Sequence, residues 1–222
     1  MSGEGAGFFL AVAGNIGVGK THVSRTLGGR LGWPVYYEPV IENPYLERFY
    51  ADMSRWSFHL QMYFLSERFK AQKRLLMENR SFIQDRTIYE DAEVFARTLL
   101  RQGDMSRVDY DTYRSLFWEM VETLRPPDLI VYLRAGVPTL LQRIAERGRE
   151  CEKSISAEYL ERLESAYDQW MTEARERFEV LVVDTEARDF LAAGVARIET
   201  EVLTRIRRRG LDIMPGIGEA TR

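Results

Sequence analysis

The sequence predicts an α/β fold, a parallel five-stranded sheet with helices on both faces, and three observations predict it. Short apolar runs alternate with long stretches of helical periodicity along the 222 residues. Strands separated by helices run parallel, because each crossover helix returns the chain to the same edge of the sheet. The first apolar run leads straight into a glycine-rich turn that opens a helix, GNIGVGKT from Gly14 to Thr21. No repeat, low-complexity block or linker interrupts the pattern, so residues 1–222 read as one domain, with 1–6 and about 211–222 as loose ends.

The elements follow in order. Phe8–Ala13 reads as a buried strand, and the glycine turn is followed by a helix at 20–31. Val35–Tyr37 is a short second strand that Pro39 prevents from continuing. A long helix spans 54–79, apolar nearly all round at its middle from Trp56 to Phe69. Ser81–Gln84 is the third strand, followed by helices near 88–101 and 109–124. The Pro126-Pro127 breaker precedes a clear strand at Leu129–Leu133. Helices near 137–147 and 156–178, a strand at Val180–Val183 and a last helix near 188–208 complete the pattern. Arg205, Arg207, Arg208 and Arg209 end that helix, where cations suit the dipole.

Composition narrows the function. A net charge of −3 gives no general electrostatic case for nucleic acid. The longest apolar run, GFFLAVAG, is far short of the roughly 20 residues a bilayer span needs, so no membrane partner is expected. The opening MSGEGAG lacks a secretion signal's basic start, and a single cysteine, Cys151, fits a reducing cytoplasm. His22 and His59 are isolated, which argues against a zinc site.

GNIGVGKT matches G-x-x-x-x-G-K-[ST] in the context the motif requires, strand before and helix after. The backbone amides of Gly14, Asn15, Ile16, Gly17, Val18 and Gly19 would cradle phosphate oxygens, Lys20 would add a point charge, and the Thr21 hydroxyl would ligate Mg²⁺. A P-loop implies ATP or another nucleoside triphosphate. The guanine-switch motifs N-K-x-D and D-x-x-G do not occur, and the length suits a compact kinase. An alcohol acceptor would need a carboxylate to take its proton. Glu38, in YYEPV, directly follows the second strand, where ligands gather in parallel sheets. Asp85, in QDRTIYED, follows the third strand in the place of a magnesium-holding acid, and Arg86 beside it would balance charge at the acceptor oxygen. Gln61 sits between Leu60 and Met62 on the apolar helix, and its amide can pair with two neighbouring atoms of a base edge. Arg143 and Arg147 share one helix face, and Gly148 releases Arg149 from it. A triphosphate is the anion that would gather these three arginines.

Taken together, GNIGVGKT, YYEP, WSFHLQMYFLSERF, DRTIYED, RGRECE and LVVDTEARDF resemble the deoxyribonucleoside kinase family from about residue 8 to residue 190. The resemblance implies transfer of the γ-phosphate of a nucleoside triphosphate, with Mg²⁺, to the 5′-hydroxyl of a deoxynucleoside. It makes Glu38 the general base and Gln61 the base reader. Asp85 and Arg86 match the family's acid–Arg pair, with Asp where many members carry Glu. Arg68 and Asp91 resemble the charged pair of members that accept cytosine or purines, which favours deoxyadenosine, with deoxyguanosine or deoxycytidine as alternatives. Phe95 would stack on the base, Tyr50 and Glu152 would hold the sugar 3′-hydroxyl, and Val40, Leu46, Phe49, Trp56 and Tyr63 would wall the pocket. Arg143, Arg147 and Arg149 resemble the lid, with Glu146 and Glu150 as their solvated partners. The family's habit implies a homodimer. Two other readings stay open on the residues alone: a nucleoside monophosphate kinase of thymidylate-kinase type, and a nucleotide-binding regulator without chemistry.

Overall fold

A computed structural model describes residues 7–37, 43–78, 80–186 and 190–210, without the side chains of Cys151, Leu191 and Ala192. Its strands are β1 (Phe9–Gly14), β2 (Val35–Tyr36), β3 (Phe82–Asp85), β4 (Leu129–Arg134) and β5 (Val180–Asp184). They lie in the order β2-β3-β1-β4-β5, every neighbouring pair parallel. The order reverses direction at β1, so a crevice opens beyond its carboxyl end, at Gly14. β1 is buried throughout and β4 is buried except for Arg134, as expected of strands covered by helices on both faces.

The helices are α1 (Lys20–Leu31), α2 (Leu46–Ala51), α3 (Met53–Met77), α4 (Ile88–Glu90), α5 (Arg97–Gln102), α6 (Arg107–Glu122), α7 (Val137–Arg147), α8 (Ala157–Ala174) and α9 (Val195–Arg208). Side chains of the preceding residues cap three of them: Asp52 accepts the Arg55 amide, Ser106 that of Asp109, and Ser156 that of Tyr159. Each such cap stabilises its helix by ~1 kcal/mol. α4 and α5 are one continuous run interrupted by a π-helical segment, Asp91–Ala96. π segments widen a helix locally and concentrate at functional sites; this one carries Asp91 and Phe95. A second, Phe190–Gly194, precedes α9.

All five strands fall where the sequence placed them, within one residue at each end. α2 was not anticipated, because its six residues are too few for periodicity to register. The predicted 156–178 helix stops at Ala174. The arginines at the end of α9 are partly structural: Arg205 pairs with Glu179 and Glu201, and Arg209 with Asp128. Asp128 also accepts the Phe9 amide at 2.6 Å, which ties the start of β1 to the end of α9.

Candidate active site

The carboxyl end of β1 turns into the phosphate loop. Gly14 has φ 144°, and a Cβ there would lie 2.6 Å from the Leu133 carbonyl oxygen of β4. Gly17, at φ 83°, lets the loop press against α7, where a Cβ would meet the Leu140 carbonyl and Ile144 at 2.9 Å. Asn15 is buried and donates its amide to the Leu160 carbonyl of α8. Lys20, buried at the start of α1, donates to the Gly14 and Asn15 carbonyls at 2.8 and 2.9 Å. Its ammonium is thus held over the loop.

At the end of the loop, the Thr21 hydroxyl donates to Asp85 Oδ2 at 2.6 Å. These are two hard oxygen donors side by side at the phosphate end. Mg²⁺ on a nucleotide is held by one or two such protein oxygens, the rest of its shell being phosphate and water, so the pair fits the ion without a cluster of carboxylates. Arg86 follows Asp85 with φ 67°, rare for a side chain other than glycine or asparagine. Such a conformation costs on the order of 1–3 kcal/mol and is pinned on every side. The Arg86 amide donates to the Val12 carbonyl at 3.0 Å, and its carbonyl accepts from Arg68 at 3.1 Å. The strained turn aims the Arg86 guanidinium over the Phe95 ring, 4.3 Å from its centre.

A cavity of about 530 Å³ joins these groups. It is lined by Gly17, Gly19, Lys20 and Thr21 of the loop, by Arg86, and by Gln61, Asp91, Phe95 and Tyr50. Arg143, Arg147, Arg149 and Glu152 also line it. Gln61 is buried, and its Oε1 accepts no hydrogen bond from the described residues. Such an acceptor is costly to bury unless something meets it. Leu46 and Phe49 of the expected wall also line the cavity; Trp56 and Tyr63 do not. Glu38 and Val40 lie outside the described residues. Tyr37, next to Glu38, lines the cavity.

Three expected contacts differ in place. Arg68 does not reach the cavity wall: it is fully buried behind Asp91, with which it forms an ion pair, and beside the Phe64 ring. Arg143 braces the loop more than it reaches outward, donating to the Val18 carbonyl and to the hydroxyl and carbonyl oxygens of Thr185, just after β5. Glu146 and Glu150 do not serve as the arginines' partners. Glu146 accepts from Gln142 and Glu150 pairs with Lys153, because α7 ends at Gly148 and turns the arginines inward to buried Glu152. Arg147 reaches Glu152 at 2.5 Å and Arg149 at 3.2 Å.

Some site residues were not legible in advance. Tyr159, His22 and Arg25 line the cavity, and burial pushes the Tyr159 hydroxyl's pKa up. Glu90 stands behind the wall, fully buried. Burial pushes its carboxyl above the usual range, opposed by Arg86 and Lys20. Only the T-x-x-E spacing from Thr87 marked it in the sequence.

A phosphate loop at the switch point of a parallel sheet, a Thr–Asp pair beside it and a cavity shared by the loop, Gln61, Asp91 and the arginines around Gly148 define a small-molecule kinase of the P-loop class. The deoxynucleoside kinase family model matches residues 10–210, and the chain belongs to that family. It is 48% identical over 165 residues to the deoxyadenosine/deoxycytidine kinase of Bacillus subtilis, covering 73% of this chain and 76% of that one. It is 43% identical over 165 residues to the deoxyadenosine kinase of Dictyostelium discoideum, covering 74% and 67%. The fold superposes on the deoxyadenosine kinase of M. mycoides solved with products dCMP and dCDP, with a TM-score of 0.82 and 31% identity over 89% of this chain and all of that one. The protein is an ATP-dependent deoxynucleoside kinase. No helix among the described residues is long and apolar enough to cross a membrane.

Proposed function

We propose that the enzyme phosphorylates the 5′-hydroxyl of deoxyadenosine, with deoxycytidine and deoxyguanosine as lesser substrates. The observation that carries this reading is one cavity that brings the phosphate loop together with Gln61, Asp91 and Phe95. Its volume of about 530 Å³ leaves room for a nucleoside with its sugar toward the loop. Asp91, held by Arg68 behind it, can accept from a base amino group while the Gln61 amide meets the neighbouring ring acceptor, a pattern that adenine and cytosine offer. Relatives named for deoxyadenosine, and for deoxyadenosine and deoxycytidine, support the same choice.

Glu38 takes the proton of the 5′-hydroxyl, a role supported by its place after β2 and by Tyr37 at the cavity wall. Tyr50 and Glu152 hold the 3′-hydroxyl, and Phe95 covers the base. Gly14 to Thr21 bind the triphosphate, and Arg86, Arg147 and Arg149 stabilise the charge on the transferring group. Mg²⁺, held by Thr21 and Asp85, would neutralise phosphate charge. The single cysteine agrees with a cytoplasmic location, and the exposed Trp118 and Val108 of α6 agree with a homodimer.

The test is kcat/KM for the four deoxynucleosides with ATP and Mg²⁺, in the parent and in Glu38→Gln. Deoxyadenosine should rank first and thymidine last. The variant should lose about 10²–10⁴-fold in kcat, the range of general-base catalysis, with deoxyadenosine binding little changed. Thymidine ranking first would end the assignment of the base, and full turnover by the variant would end that of Glu38.

A further inference from the structure

Glu90 has no part in the chemistry described, yet it joins three segments of the site. Its Oε1 accepts from the Gly14 amide at 3.3 Å and from the Tyr167 hydroxyl of α8 at 2.7 Å. Its Oε2 accepts from the Thr87 amide at 3.0 Å, and Arg86 Nε lies 4.0 Å from Oε1. The Thr87 bond alone would make it a helix-capping glutamate. Capping does not account for the other two. Gly14 is the first residue of the phosphate loop, and its own carbonyl receives the Lys20 ammonium. Thr87 is the residue after Arg86, whose strained φ of 67° needs both of its flanking peptides held. α8 therefore grips the loop at two points, through Leu160 to Asn15 and through Tyr167 and Glu90 to Gly14.

We infer that Glu90 is a positioning residue: one carboxylate, with one oxygen on Gly14 and the other on Thr87, fixes the distance between the phosphate loop and the Asp85–Arg86 turn. This rests on the proposed phosphoryl transfer between those two sides. Misplacing reacting groups by about 1 Å costs on the order of 100-fold in rate, so a rigid tie between them has kinetic consequences. A glutamine at this position cannot replace it. Its single oxygen serves either Thr87 or Gly14, and its amide hydrogens then face the other N–H. Tyr167 can rotate its hydroxyl to accept from the amide, so the favoured orientation keeps the Thr87 cap and leaves the Gly14 amide without its acceptor.

Glu90→Gln and Tyr167→Phe, in the full chain, separate this from capping alone. The measurements are steady-state kinetics with ATP varied, binary deoxynucleoside binding by calorimetry, and Tm. Glu90→Gln should lower kcat/KM for ATP by about 30–100-fold, with deoxynucleoside Kd within about three-fold of the parent. Tyr167→Phe, which removes one of the bonds to Oε1, should lower it by about three- to ten-fold in the same way. A Glu90→Gln protein with lowered Tm and an ATP kcat/KM within two-fold of the parent would reduce Glu90 to a helix cap. An equal loss in ATP use and deoxynucleoside binding would likewise overturn the proposal. If Glu90→Gln does not fold, Tyr167→Phe decides: a loss confined to ATP supports the tie, and unchanged kinetics refute it. The assay uses whichever deoxynucleoside the parent phosphorylates best, so an error in the preferred base leaves this result readable.

Discussion

The proposed nucleoside end and the proposed lid handle charge in opposite ways. At the nucleoside end, Arg68 and Asp91 have side-chain exposures of 0% and 2%. At the lid, Arg147 and Arg149 keep 33% and 35%, and only their partner Glu152 is buried, at 6%. A fully buried pair has no solvent to fall back on, so its members hold one another in a single geometry and fix Asp91 at the cavity wall. Partly exposed arginines can change partners at little cost. In the proposed function they leave Glu152 for a phosphate, Glu152 then accepts from a hydroxyl, and the buried pair discriminates where the lid exchanges.

Breaking the buried end has the largest expected effect on stability. Asp91→Asn leaves the Arg68 charge in a dry site, and removing one partner of a buried pair costs about 3–5 kcal/mol. At about 2–4 °C per kcal/mol for a chain of this size, Tm should fall by roughly 6–20 °C. Deoxyadenosine kcat/KM should fall by more than about 100-fold, since a site built to pair with a polar edge loses that much or more when the pairing fails. Calorimetry and the four-substrate assay check both. A Tm loss of only a degree or two would mean that the pair is not dry, and the contrast with the lid would fail.

The lid should behave in the reverse manner. Arg147→Ala and Arg149→Ala should each lower kcat by about 10–100-fold, the scale of an arginine acting on a transferring phosphoryl group. Tm should move by no more than about 4 °C, because partly exposed ion pairs are worth about 0–1 kcal/mol. Glu152→Gln should sharpen the point by splitting the substrates: KM for ATP falls as the arginines are released, and KM for the deoxynucleoside rises. Parallel changes in both KM values would show that the arginines do not trade partners.

The difference between the ends also explains what the sequence could reveal. β1, the phosphate loop and α1 were legible because glycine spacing, Lys20 and Thr21 are fixed locally by the chain's own geometry. Asp85, Arg86 and the lid arginines were legible as types, but not their partners, which lie elsewhere in the chain. Arg143 meets Thr185 across 42 positions, and Glu90 meets Tyr167 across 77; periodicity carries no such information. Asp91, in front of Arg68, opens the π segment, which no local pattern announced. Glu38, the most consequential reading made from the sequence, lies outside the described residues and stands on its place after β2.

The smallest effect tests whether the lid can be separated from its foundation. α7 starts after Gly136, which has no side chain to cap it, and Glu186 supplies the cap from beyond β5. Its Oε1 accepts from the Gly136 amide at 2.9 Å and the Thr139 hydroxyl at 2.7 Å. The Thr139 hydrogen bond, then that from Gly136, holds its carboxyl below the ordinary value of 4.5. A depressed carboxyl contributes stability above its unfolded pKa and loses it as pH falls through the folded one. Glu186→Gln should therefore lower Tm by about 1–3 °C at pH 7, a cap's contribution in a chain of this length. The gap from the parent should close as the pH falls below 4.5 and through the depressed pKa of the folded state. Because Glu186 anchors the base of α7 and the exchanging arginines sit at its far end, kcat should change by less than about three-fold. If Glu186→Gln instead reduced kcat as far as Arg147→Ala, exchange at the lid would depend on the whole helix moving, and the half-exposed ion pairs would no longer explain it.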